Sequence, residues 1–285
     1  MVFFDHYRLL SLFGLLLYTA FMVAVFTHKN PLIGLDIQPD AVRLAAFCQS
    51  NLGIHLSHAD QWQNLESFAK EWSLPCKAVA IAVPYSKVHI KRLTIEKSLK
   101  PKEIEILIRD GLASDFLFGW QMIDSSKILV VSCPKEALEP SLSLLKQAQL
   151  LPSIIDVDLF AIERVFYLLL KSLPFKTIAA VYIHQQFASL SVFQEQKVIF
   201  RQYNLGGEAK LHQALEAFRL EHLLLMTSSR MAKEITEQLT VPFSIHHPAQ
   251  MISITPTQEH SIFHQNPSDW TVACGLALRA KRYNV

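Results

Sequence analysis

For its size, this sequence is poorest in glycine. Eight glycines occur in 285 residues, where an average usage near 7% would supply about 20. Folds that wrap backbone around phosphate place glycine where N–H groups approach the ligand, and this chain holds few such positions. An excess of charge of one sign is also missing. The formal net charge is +2, lysine and arginine are scattered, and no basic run is interleaved with aromatics, so a nucleic-acid surface is not indicated. Cys48, Cys76, Cys133 and Cys274 lie far apart with no Cys-x-x-Cys pair. That excludes a disulfide framework or zinc knuckle and reads as reduced cysteines in a cytoplasmic protein. What is present is apolar: 51% hydrophobic against 18% charged residues, over a length that suits about two domains.

Residues 1–30 stand apart. Leu9 to Phe26 carries no charge and is close to the minimum of about 17 residues for a membrane-spanning helix. Arg8 and Lys29 flank it, so charge barely sets an orientation. No small-residue cleavage site follows, so a cleaved secretory leader fits poorly. Two readings stand: a membrane anchor, or a start codon placed too early, with Met22 as the true first residue.

From Pro31 the chain reads as short strands at Leu32–Ile37, Val42–Phe47 and Leu52–Leu56. A helix over Gln61–Trp72 follows, with Trp62, Leu65, Phe68 and Ala69 at helical spacing, then a buried strand at Lys77–Val83. An interruption follows. Tyr85–Ile95 alternates like a half-buried strand. Pro101 opens a helix with Glu103 and Glu105 in its first turn and an apolar face of Ile104, Leu107, Ile108 and Leu112. This predicts a small α+β subdomain inserted at about 84–126. Strand Leu129–Ser132, a helix within Pro134–Gln149, strand Ser153–Asp158 and helix Phe160–Leu170 complete the first half. Pro140 should kink that middle helix or mark its start.

The pattern then repeats. Thr177–Phe193 matches the opening stretch without a gap: Tyr182 falls under Asp36, an offset of 146, and Ile183, Leu190 and Phe193 fall under Ile37, Leu44 and Phe47. Strand Lys197–Tyr203, helix Glu208–Arg219, strand His222–Met226, a helix to Leu239, strand Val241–Ile245 and helix Trp270–Arg279 repeat the earlier order. The fold class predicted is α/β, two duplicated halves at 31–171 and 172–285, with a ligand cleft between them.

Four segments carry a family resemblance over nearly the whole chain after Pro31: PLIGLDI…VRLAAF (Pro31–Phe47), KILVVSCPKEALEPSLSLLKQAQLLPSIIDVDLFAIERVF (Lys127–Phe166), the hairpin Val181–Phe193 with NLGGE (Asn204–Glu208), and ACGLALR (Ala273–Arg279). They resemble the type IV pilus assembly protein PilM, of the actin-like group that includes the division protein FtsA. The resemblance implies duplicated actin-like (ribonuclease H-like) domains and a cytoplasmic place at the inner membrane. It also implies a role in the pilus assembly platform, binding the short N-terminal tail of PilN and linking other platform and motor proteins. Ordinary members bind ATP in the cleft.

Against that family pattern, the first phosphate turn, expected as Asp-Ile-Gly followed by a hydroxyl residue, reads Asp36-Ile37-Gln38-Pro39-Asp40. Gln38 adds a side chain where phosphate would sit, Pro39 deletes a donor and Asp40 adds negative charge. The second turn has Tyr182-Ile183-His184 for Asp-x-Gly, and Thr227-Ser228-Ser229 replaces a glycine pair. The half at 172–285 is short, without the further helical subdomain of usual members. The expectation is a shortened, degenerate member acting as a non-enzymatic scaffold. It has no cofactor, ATP and magnesium being disfavoured, and Asp36 and Asp156 are remnants of an ATP site. Partners expected are a PilN-like tail, other platform and motor proteins and the inner-membrane surface, with no nucleic acid. Two alternatives are an active actin-like ATPase using Asp36 and Asp156, and the cytoplasmic actin-like part of a type II secretion platform subunit. The latter normally precedes a membrane helix.

Other candidates read more simply. His260 and His264, four apart, lack the glutamate of a zinc helix and sit near Pro267, so a loop is expected. His246-His247 precedes Pro248 at a strand end. Cys133 has no histidine placed to activate it and reads as buried or capping. Gly206-Gly207 reads as a tight turn.

Overall fold

A computed structural model of the chain describes residues 33–38, 41–50, 53–63, 65–71, 78–170, 173–184, 187–203, 208–226, 242–245, 253–254 and 267–280. The apolar run Leu9–Phe26 with Met22, Pro39-Asp40, Gly206-Gly207, Thr227–Ser229, the helix ending at Leu239, His246-His247 and His260–His264 lie outside the described residues.

The first half contributes β1 (Ile33–Ile37), β2 (Val42–Ser50), β3 (Gly53–Trp62), α1 (Leu65–Glu71), β4 (Ala78–Val83), β5 (His89–Thr94), α2 (Pro101–Asp110), β6 (Phe116–Asp124), β7 (Lys127–Pro134), α3 (Glu139–Gln147), β8 (Leu151–Val157) and α4 (Asp158–Leu170). The second contributes β9 (Thr177–His184), β10 (Phe187–Gln194), β11 (Lys197–Tyr203), α5 (Glu208–Glu216), β12 (His222–Met226), β13 (Phe243–Ile245), β14 (Ser253–Ile254) and α6 (Thr271–Ala277).

The two large sheets run β14-β3-β2-β1-β4-β8 and β11-β10-β9-β12-β13. Apart from β14, they share one plan: an antiparallel meander of three strands, extended from its first strand by two parallel strands. The duplication extends to hairpin register. Asp36 pairs with Arg43 and Ile33 with Ala46; at the same offset of 146, Tyr182 pairs with Ser189 and Ala179 with Val192. The parallel strands read as near-continuous apolar runs because both faces are covered, and all of β12 is buried.

The halves differ in what joins their parallel strands. Ile81 is separated from its partner Ile155 by 74 positions (155 − 81), Leu225 from Ile245 by 20 (245 − 225). The excess holds a three-stranded antiparallel sheet, β5-β7-β6. Leu129–Ser132 therefore lies in the central strand of this small sheet, not in the large sheet's strand-helix-strand series, and the small sheet runs on to Pro134. Strand β7 misleads because it is buried on both faces: Ile128 and Val130 pack under α2, Val131 and Cys133 against the first half's core. Helix α2 meets this narrow sheet along one stripe, Ile104 and Ile108, and leaves Leu107, expected in its apolar face, 51% exposed. Pro140 stands in the first turn of α3 and marks its start. Trp62 closes β3 instead of opening a helix; its ring meets Phe68 edge-on at 4.9 Å between centroids, and its Nε1 donates to Glu71 at 3.1 Å.

The last helix of each half lies on the other half. Helix α6 packs on β1, β2 and β4 and crosses α4. At the crossing Gly275 lies against the Ala161 backbone, and on the opposite side Gly34 of β1 lies against the carbonyl of Ala273. The helix can sit this close to strand and helix only because neither glycine has a Cβ. Helix α4 in turn packs on the second sheet, with Tyr167 edge-on to Phe193 at 5.2 Å between centroids. Ala161, Ile162, Val165 and Phe166 share one core cluster with Ile178, Ala180 and Phe193.

Candidate functional site

Parallel pairing brings the carboxyl ends of β1, β4 and β8 to one side of the first sheet, where ligands of open α/β sheets bind. Asp36 is next to last in β1, Asp156 is next to last in β8 and Asp158 opens α4. Asp36 is buried. It accepts a hydrogen bond from Gln38 Nε2 at 2.8 Å and lies 4.0 Å from Arg43 Nη1. Arg43 Nη2 contacts Asp269 Oδ2 at 3.4 Å, just before α6. The Gln38 side chain, at the position where a phosphate turn has glycine, is thus folded onto the turn's own acid.

Asp156 is fully buried. The Val157 amide donates to Oδ1 at 2.8 Å, and Oδ2 is paired with Arg164 and, at 2.8 Å, with Arg279 Nη1. Arg164 Nε also donates to the Gly275 carbonyl at 2.8 Å. Burial alone would raise the pKa of Asp156; the charges of Arg164 and Arg279 and the Val157 amide outweigh it and hold the carboxyl below its usual range. Both oxygens of this carboxylate are committed inside the protein.

Asp158 behaves oppositely. Its Oδ1 accepts from the Leu159 amide at 2.6 Å and from the Tyr85 amide at 2.9 Å. Burial pushes its pKa up to about 7, against these hydrogen bonds and with help from the charges of Asp36 and Asp156. Tyr182, where the repeat has its second acid position, is buried beside the same cluster. Its hydroxyl stays neutral, pushed well up by burial and by the charges of Asp36, Asp269 and Asp158.

The Asp158 shift has a measurable consequence. A carboxyl whose folded pKa is raised binds more protons in the folded than in the unfolded state between pH 4 and 7, so it lowers stability as pH rises through that window. Asp158→Asn keeps the amide acceptor and removes the charge. The variant should gain about 2 kcal/mol over the parent at pH 8, roughly half the unscreened linkage, and almost nothing at pH 4. An equal difference in Tm at both pH values would refute the assignment.

The sequence pointed to Asp36 and Asp156 but not to Arg43, Asp158, Arg164, Asp269 or Arg279. A signal was available for two of them: a lone arginine inside an apolar run, in VRLAAF and in ACGLALR, has to find a buried partner. Cys133 is buried, which pushes its thiol up to about 11, so it is not an activated nucleophile. Among the described residues no cluster of His, Cys, Asp and Glu is arranged to hold a metal ion.

Two duplicated sheets of this order, with crossed terminal helices and a cluster of acids at the strand ends between them, define an actin-like protein. The family model described as type IV pilus assembly protein PilM matches residues 56–222, more than half of the chain, and the chain belongs to that family. No curated protein matches it. Among solved structures it is similar to a PilM–PilN type IV pilus biogenesis complex, at 17% identity and a TM-score of 0.73, over 88% of this chain and 99% of that one. It also resembles a protein of actin-like ATPase fold from Bacteroides thetaiotaomicron, at 11% identity over 78% and 92% of the chains, TM-score 0.49. A third is the cytoplasmic domain of EpsL, an inner-membrane component of the type II secretion system of Vibrio cholerae, at 13% identity over 88% and 96%, TM-score 0.48.

Proposed function

We propose that this type IV pilus assembly protein is a non-enzymatic scaffold of the inner-membrane platform. It would sit on the cytoplasmic face and hold the N-terminal tail of a PilN-like membrane protein. The observation that carries this reading is the likeness in fold to a chain of the PilM–PilN complex along 99% of that chain. Other platform and motor proteins and the membrane surface are further partners on this reading. We also propose the division into 31–171 and 172–285 as the two working halves. Among the described residues no helix is long and apolar enough to cross a membrane; Leu9–Phe26 lies outside them.

The absence of enzymatic activity is supported by how poorly the strand-end residues suit a magnesium–nucleotide. A metal–polyphosphate needs carboxylate or water oxygens on the cation and donors on the phosphates. Asp156 already has two arginines, Asp36 has Gln38 and Arg43, and Tyr182 stands in place of the second acid. The competing reading, an active ATPase, draws on Asp158, whose carboxyl titrates near neutrality beside Asp36.

The test is retention of the full chain on an immobilised PilN-like tail peptide, with magnesium–ATP titrated in a calorimeter. Retention without heat from ATP is the expected result. A folded chain that ignores the peptide would sink the scaffold reading. ATP hydrolysis abolished by Asp36→Ala would establish the ATPase.

A further inference from the structure

We propose that arginines built into the chain hold its two halves in one fixed arrangement without any bound ligand. This deepens the scaffold reading, because a scaffold of this kind has no nucleotide-driven opening and closing. At three separate places a charged residue of the first half meets an opposite charge of the second. Asp156 of β8 pairs with Arg279, just after α6, with both side chains fully buried. Glu163 of α4, 3% exposed, takes a two-pronged contact from Arg201 of β11, with Nε at 2.5 Å and Nη2 at 2.8 Å. It also accepts the Ser191 hydroxyl of β10 at 3.0 Å. Arg201 lies over the Phe160 ring, 5.7 Å from its centroid. Arg43 of β2 meets Asp269.

The backbone crosses as well. Strand β14, which follows the second sheet in sequence, adds in parallel to the edge of β3 at His55 and Leu56, and α6 then packs on β1. The shared apolar cluster between α4, α6 and both sheets supplies adhesion. The ion pairs supply register: a slide or rotation of one half by a few ångströms would part Glu163 from Arg201 and Ser191, and Arg279 from Asp156, inside the protein. A nucleotide switch requires two arrangements of comparable free energy, and all three ion pairs form together in this one.

Amide hydrogen exchange on the full chain tests this. In the parent, exchange in α4 and α6 should be the same with and without magnesium–ATP. Arg201→Met combined with Arg279→Met should speed exchange in α4 and α6 about tenfold or more, while β5, β6 and β7 keep parental rates and show that the chain is folded. If the double variant does not fold, Arg43→Met alone should show the same local loosening. Parental rates in α4 and α6 of a folded variant would overturn the proposal, as would slowing of those helices by magnesium–ATP in the parent. Calorimetric heat from ATP with unchanged exchange would remove the no-nucleotide reading and leave the fixed arrangement supported.

Discussion

Gly275→Ala should cost this protein about 3 kcal/mol or more of its stability, although it adds one methyl group. The added Cβ would run into the carbonyl, carbonyl carbon and Cα of Ala161 on α4. These are backbone atoms in the first turn of a packed helix, so no side chain can rotate away. The two helices would have to separate, and every contact that α6 makes with β1, β2 and β4 would loosen with them. The control is Gly111→Ala at the end of α2. There the nearest atoms to a Cβ lie 3.6 and 3.8 Å away and φ is −88°, so the change should be neutral or slightly stabilising. Urea unfolding of both variants measures the contrast. A Gly275→Ala protein within 1 kcal/mol of the parent, on the scale of an ordinary tolerated substitution, would mean that the helix crossing is not as close as described.

Asp156→Ala should be comparably damaging, at about 3–5 kcal/mol, because it leaves the fully buried Arg279 and the partly buried Arg164 with no carboxylate between them. A residue kept only for a bound metal predicts the opposite. Removing it should leave stability unchanged or improve it, since functional sites are often held at the expense of stability. The two roles also differ in rescue. Replacing Asp156 by Leu together with Arg279 by Met removes charge of both signs and should recover much of the loss, because a hydrophobic replacement of a buried pair is often neutral. Thermal unfolding of single and double variants decides this. A stable Asp156→Ala protein would contradict the structural role given to this ion cluster.

The repeat was legible because it is written in the backbone plan: one offset aligns two hairpins, and both hairpins then pair in the same register. The apolar runs gave the large-sheet strands for the same reason. Strand β7 was not legible as part of the small sheet. A strand covered on both faces has no alternation, and a run such as Ile128–Val131 looks the same in either sheet. Leu107 misled because helical spacing shows which residues share a face, not how wide a surface awaits them. At the strand ends, Asp36 and Asp156 stood out by position, but what they touch did not. Arg43 sits across a hairpin, whereas Asp269 and Arg279 arrive from the far end of the chain. No local pattern encodes a meeting between residues so distant in sequence, and only the lone arginines in apolar surroundings hinted that such meetings occur.

The seat of α6 on β1 also sets an order on the protein's synthesis. Gly34 leaves the ribosome 239 residues (273 − 34) before Ala273, which covers it. At about 5–20 residues per second, that face of the first sheet waits roughly 10–50 s for its cover. During this interval the apolar residues of β1, β2 and β4 that α6 covers in the finished fold lie open to water. The time taken to make the stretch between Gly34 and Ala273, rather than any property of the finished fold, then sets how long that face stays uncovered.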